Sequence, residues 1–255
     1  MPITHRLRAA SKAASIHLLC SLGIALAAAV LVFLLWYPFP YRALSGGQEL
    51  FFLVMVVDVV CGPLLTMVLF NPLKPRAELV RDLLLVVVIQ IIALGYGLHT
   101  VWQARPLYLV MEVDRFRVIS APDLRDAPLQ EVPATLRPHW MGSPVIVGIR
   151  APKNLEEKNK VLFEAIQGGR DYAERPEFYV PYEGEVALQS MKRAKQLASF
   201  LQKYPDQQDA AQALATDKQA NLAQWVYLPV VGREAWVALL DAQGQIQGFL
   251  KGDGF

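Results

Sequence analysis

Twenty consecutive residues, Phe51–Phe70 (FFLVMVVDVVCGPLLTMVLF), carry a single charged side chain, Asp58, near their middle. A helical run of this length and apolarity is long enough to cross a bilayer. An ionisable group in hydrocarbon costs several kcal/mol unless it is neutral or partnered, so Asp58 requires a structural or functional reason. Gly62-Pro63 follows one turn later, and Pro63 removes the helix hydrogen bond to the carbonyl of Val59 and should kink the segment.

Two further runs frame this one. Residues 15–36 are apolar behind a short start carrying Arg6, Arg8 and Lys12, and residues 83–102 form a third run. The first is longer than the apolar region of a signal peptide. It ends in Trp36-Tyr37-Pro38-Phe39-Pro40-Tyr41 rather than at a small-residue cleavage site, so it reads as an uncleaved anchor. Trp36, Tyr37 and Trp102 are expected as interfacial aromatics, and Arg105-Pro106 as the boundary that ends the third helix at headgroup level.

Charge is distributed to match. Residues 1–103 hold seven Lys/Arg and four Asp/Glu, and residues 104–255 hold eighteen and nineteen. The simplest division is a membrane domain, 1–103, followed by a soluble domain, 104–255, long enough for a core of its own. Basic residues flank the amino terminus and the 71–82 loop (Lys74, Arg76, Arg81), whereas the 37–48 loop has only Arg42. The positive-inside rule then places the amino terminus in the cytoplasm and residues 104–255 outside it, in the periplasm of a Gram-negative cell.

The second part reads as strands, then helices, then strands. Strand signals cover 106–120, 145–149 and 225–231, and Asp241-Ala242-Gln243-Gly244 marks a hairpin between 234–240 and 245–250. Helical spacing covers 154–166, 186–203 and 207–223, and residues 121–144 form a loop with Pro122, Pro128, Pro133, Pro138 and Pro144. The expected fold is therefore a membrane protein with three amino-terminal transmembrane α-helices and an extracytoplasmic α+β domain with a mainly antiparallel sheet.

Little points to enzyme chemistry. Cys20 and Cys61 both lie in apolar runs, and His5, His17, His99 and His139 are too scattered for a local metal site. Ser143 lacks a nucleophile-elbow context, no phosphate loop or dinucleotide fingerprint occurs, and the near-neutral soluble part has no nucleic-acid footprint. Neither a cofactor nor a catalytic residue is called for. The charged stretches 156–160 and 192–195 read as solvated helix faces, and Arg115 and Arg117 as the exposed face of a strand.

The membrane segments hold the best candidates. At 100° per residue Asp58, Gly62 and Thr66 fall within about 80° on one face. Gln90, Ala93 and Gly97 share a face of the third segment, where Ala93-xxx-Gly97 is a small-xxx-small pattern that allows close helix approach. Asp58 can bond Gln90, Tyr96 or a freed carbonyl and fix the bundle, or it can face a partner helix or a proton path. His17 and Cys20 read as packed residues rather than ligands.

Trp36-Tyr37-Pro38-x-Pro40-Tyr41, Gly46-Gly47, Leu50-Phe51, Val57-Asp58, Gly62-Pro63-Leu64-Leu65-Thr66, Lys74 and Arg81-Asp82-Leu83 together resemble the type IV pilin accessory proteins TfpX/TfpZ. The similarity continues through Gln90, Ala93-Leu94-x-Tyr96-Gly97, Arg105-Pro106 and Asp114-Arg115-Phe116. The resemblance implies a non-enzymatic inner-membrane helper of pilus biogenesis, which assists or stabilises a cognate pilin subunit before or during assembly. It makes Asp58, Gly62, Thr66, Gln90 and Gly97 candidate partner-binding residues. The rival class is a membrane-anchored periplasmic sensor, which would need a cytoplasmic output larger than the short segments available.

Overall fold

The computed structural model describes residues 3–124, 127 and 129–255. Pro128, one of the five loop prolines, lies outside the described residues. The chain forms two units: residues up to Phe39 with Gly46–Ala104, and Pro40–Ser45 with Arg105–Phe255.

The first unit is helical. Helix α1 (Ile3–Leu31) runs on through a π-helical turn, Val32–Trp36. After the short α2 (Tyr41–Leu44), which belongs to the second unit, come α3 (Gly47–Leu69) and α4 (Arg76–Gln103). The stretches Thr4–Trp36 and Gly47–Leu69 are long and apolar enough to cross a membrane. The third expected span, 83–102, falls inside α4, whose first two turns carry Arg76, Glu78, Arg81 and Asp82. Helix α3 stays continuous through Pro63. Outer faces are apolar: Leu19, Leu26, Leu53, Val68 and Ile92 are each about two-thirds exposed. So large an apolar surface suits lipid rather than water.

Trp36 and Tyr37 do not form an outward aromatic belt. Both are buried with Ala28, Val32, Phe51, Met55 and Val101. The Tyr37 hydroxyl donates to the carbonyl of Val101 at 2.7 Å, and the ring covers Gly47, where a Cβ would stand 2.1 Å from ring carbon Cε1. Packing has claimed these aromatics because a buried phenol needs an acceptor and finds one on α4. Trp102 is half-buried and stacks on His99 at 6.1 Å. Arg105 and Pro106 are buried at the start of the second unit, so Arg105 is not an extended headgroup anchor.

The second unit holds a mixed, mostly antiparallel sheet. Its strands are β1 (Pro106–Met111), β2 (Phe116–Ser120), β3 (Val145–Ile149), β4 (Tyr179–Pro181), β5 (Lys195–Gln196), β6 (Val226–Val231), β7 (Trp236–Leu240) and β8 (Ile246–Lys251). The order is β4-β3-β1-β2-β6-β7-β8, with β5 also on β6; the β1/β3 and β2/β6 pairs are parallel. Every residue of β1 and β7 is buried, as expected of strands covered on both faces. Along β7, Trp236, Ala238 and Leu240 enter one core while Val237 and Leu239 enter another. Alternation puts these cores on opposite faces.

That two-sided arrangement explains a correction. The spacing over 186–203 predicts one helix, but the chain forms α6 (Gly184–Met191), then β5, then α7 (Leu197–Lys203). Ala187 packs into one core and Leu197 and Phe200 into the other, so a single straight helix could not serve both. Likewise 207–223 is not one helix: α8 (Gln208–Asp217) stops where Gln219 takes φ 51° and Ala220 N–H bonds the Ala215 carbonyl. Helix α5 (Leu155–Ile166) matches the expected 154–166, and Asn154 proves to be its cap, its side chain accepting from Glu157 N–H. The hairpin forms too, with the Asp241 carboxylate accepting from the N–H groups of Gln243 and Gln245 at 2.9 Å.

The short loop between the first two long helices is a core element of the second unit. Tyr41 and Leu44 join the cluster of Leu109, Phe116, Leu228 and Trp236, and Leu44 is fully buried. The Leu44 carbonyl accepts from Arg233 N–H at 2.6 Å, and at Gly232 a Cβ would come within 2.6 Å of that oxygen. Leu44→Ala is expected to cost about 2–5 kcal/mol. In limited proteolysis of the full chain it should speed cleavage within 105–255, while Val113→Ala at a well-exposed site should not.

Candidate functional site

The sequence candidates meet where α3 faces α4. Gly62 and Gly97 are both buried because the neighbouring helix fills the space a side chain would need. A Cβ on Gly62 would stand 2.0 Å from Nε2 of Gln90, and one on Gly97 would stand 2.3 Å from Cγ1 of Val54. Gln90 lies across Gly62 and its Nε2 donates to the backbone carbonyl of Asp58 at 3.0 Å. Gly62 and Gly97 therefore hold α3 against α4 and are closed to a second protein. Tyr96, a possible partner of Asp58 on sequence grounds, is exposed.

Thr66, two turns after Asp58, is buried and pairs with α1: its Oγ1 lies 2.5 Å from Nδ1 of His17. The Asp58 carboxyl also meets the Gln90 side chain, while its Oδ1 is sealed in the chain without a hydrogen-bond partner. All these groups border one groove of about 480 Å³ among α1, α3 and α4, with His17, Asp58, Thr66 and Gln90 set among apolar residues such as Ile24 and Ile91. It offers hydrogen-bond recognition in apolar surroundings.

Sequence reasoning missed the share of α1. His17 looked like a packed residue, yet it stands in the groove with Ser21. The available signal was a four-residue spacing, Ala13, His17 and Ser21, which puts all three on one helix face.

The second unit has a cleft of about 1050 Å³ at the carboxyl ends of the parallel β1 and β3, bordered by Glu112, Arg115, Arg150, Tyr172 and Arg193. Two of its cations are held in ion pairs, whereas among the described residues Lys158, Lys192 and Arg193 line it without one. Arg150 grips Glu157 through two bonds of 2.9 Å and lies 4.3 Å over the Phe178 ring. Arg115 pairs with Asp114, and Arg117 with Glu174. Glu157, expected as part of a solvated face, is instead a structural partner, and the Arg150 hydrogen bonds pull its carboxyl down to about 2. Burial pushes Glu112 the other way, upward, against the nearby Arg117.

Two expectations follow. Replacing Gly97 by Leu should force α3 and α4 apart at a cost of about 1–3 kcal/mol, read as a lower melting temperature in detergent. Gly95→Leu, which meets nothing within 4 Å, should not. For Glu157 the folded carboxyl titrates below its ordinary 4.5, so its stabilisation is full above that pH and disappears as pH falls toward about 2. Glu157→Gln should remove that part of the acid dependence of unfolding, measured across this window.

Comparison with known proteins fits the helical unit and the second unit alike. A family model described as fimbrial assembly protein FimB matches residues 5–46. The fimbrial assembly protein of Dichelobacter nodosus serogroup I is 37% identical over 253 residues, 96% of each chain. That of serogroup E1 is 37% identical over 254 residues, again 96% of each. The protein of serogroups C1 and C2 is 44% identical over 115 residues, 45% of this chain and 88% of that protein. No solved structure matches. With more than a third of its residues identical along nearly its whole length, the chain belongs to the fimbrial assembly protein family, a family of type IV pilus accessory proteins.

Proposed function

We propose that this protein is an inner-membrane accessory factor of type IV pilus biogenesis that assists or stabilises a cognate pilin before or during assembly. The observation that carries the reading is the near full-length likeness to fimbrial assembly proteins. In this reading α4 is a third span. Its charged first turns are the basic loop side of the membrane, and the residues from 83 onward present Leu84, Leu85, Ile89 and Ile92 to lipid. With Arg6, Arg8 and Lys12 on the same side, the amino terminus is cytoplasmic and the second unit periplasmic.

The protein acts by binding, not by catalysis. A pilin awaiting assembly has a hydrophobic helix in the membrane and a head in the periplasm. The groove among α1, α3 and α4 meets the helix, and the second unit meets the head. Burial of apolar surface cannot drive helix association in lipid, so close packing and polar contacts must.

Photocrosslinking tests this. Positions 62 and 97 are filled internally, so the photoreactive residue belongs at Ile24 or Ile91 on the groove. Capture of pilin from these positions, and not from Leu53 on an outer face, is the expected outcome. Capture from second-unit positions alone would remove the intramembrane part of the reading.

A further inference from the structure

Two charged stretches that the sequence offers as separate solvated faces, 156–160 and 192–195, meet at the cleft of the second unit. Five cationic and three acidic side chains line it. The acids are answered: Asp114 by Arg115, Asp171 by Arg117 at 3.5 Å and Glu112 by Arg117 at 3.8 Å. Arg150 is taken by Glu157. Lys158 on α5, with Lys192 and Arg193 just past α6, is left exposed and without an ion pair among the described residues. Arg193 attracts the Asp114 carboxylate without bonding it. A concave wall of partly apolar lining concentrates the field of such surplus charges.

An apolar face adjoins these cations. On α5, Leu155, Leu162, Phe163 and Ile166 recur at helical spacing and share one side. All four are exposed, Leu155 and Ile166 by about three-quarters, while α5 turns Val161 inward. At 100° per residue Lys158 lies about 40° from Leu162, so the cleft and the apolar face are contiguous. A soluble domain rarely leaves such a face open unless something docks on it.

We propose that this surface docks a protein partner that inserts an acidic side chain into the cleft and lays apolar side chains on α5. This rests on the reading above that the second unit meets the pilin head, and it names the part of the head that is selected: an acidic residue flanked by apolar ones. Charge decides the occupant. A second copy of this chain would bring the same surplus cations to the contact, and a flat lipid surface cannot enter a cleft. At about 1050 Å³ the cleft has room for several side chains of a protein segment.

The experiment uses the full-length protein in membranes with its pilin and a photoreactive residue at Leu155. Asp217 on α8 is the control position, because α8 packs Ala211 and Ala215 on the core opposite the one that holds Ala187 of α6. Capture of pilin from Leu155 and not from Asp217 is expected. Lys158→Glu with Lys192→Glu should lower capture about tenfold, the worth of one close charge pair across an interface, while Lys158→Arg with Lys192→Arg retains it. Undiminished capture by the Glu variant, or capture of a second copy of this chain from Leu155, overturns the proposal. Pilin captured from Asp217 and not from Leu155 also overturns it and leaves the pilin reading intact. No pilin captured from Leu155, Asp217 or the groove position Ile91 removes that reading and the proposal with it. Should the Glu variant fail to accumulate, the contact is read from the other side. Acidic residues of the pilin head are changed to Gln one at a time and tested against the wild-type protein. One such change must lower capture from Leu155, and if none does the proposal is wrong.

Discussion

A polar group set among apolar side chains must find its partner in the protein, and the helical unit is organised by that constraint. Helices α3 and α4 come close enough for the Gln90 amide to reach the Asp58 carbonyl because position 62 is glycine. Any larger residue there would occupy the site of the amide itself. Gly97 performs the same service for Val54 on the other helix. Tyr37 ties the end of the first long helix to Val101 on α4, and His17 with Thr66 ties α1 to α3. Each pair of long helices is thus joined by at least one polar contact, where apolar packing alone would leave rotation and depth weakly specified.

The second unit solves a different problem, that of a sheet with cores on both faces. Its chain must change faces, and it does so at Lys195–Gln196, where a two-residue strand on β6 interrupts what would otherwise be a helix. It also recruits Pro40–Ser45 from far upstream in sequence. The chain therefore passes between the units three times, once on each side of that segment and once at Ala104/Arg105. Because Leu44 and Tyr41 are core residues, the loop between the first two long helices is constrained by the folding of residues more than sixty positions away.

Much of this was legible in the sequence where a residue's neighbours are local. The apolar runs, the helix over 154–166, the Asp241–Gly244 hairpin and the shared face of Asp58, Gly62 and Thr66 all follow from local pattern. The small-residue face of α4 pointed to close packing with α3, and that is where Gly97 stands. What could not be read are assignments made by distant partners. Tyr41 and Leu44 look like interfacial loop residues until the sheet that buries them is known. Trp36 and Tyr37 look like a belt until Val101 accepts the phenol. The break in 186–203 cannot be read from helical spacing, because both halves keep that spacing while packing on opposite faces of the sheet.

The same reasoning separates the roles of the residues first grouped as one site. Gly62 and Gly97 are covered within the chain, and Gln90 spends an amide N–H on the Asp58 carbonyl while still lining the groove. Thr66 is satisfied through His17. Asp58 combines a backbone carbonyl that accepts from the Gln90 amide with a carboxyl that the same Gln90 side chain also meets. The acid therefore takes part in the joint between α3 and α4 through its side chain as well as its backbone, which a purely apolar residue at this position would not reproduce.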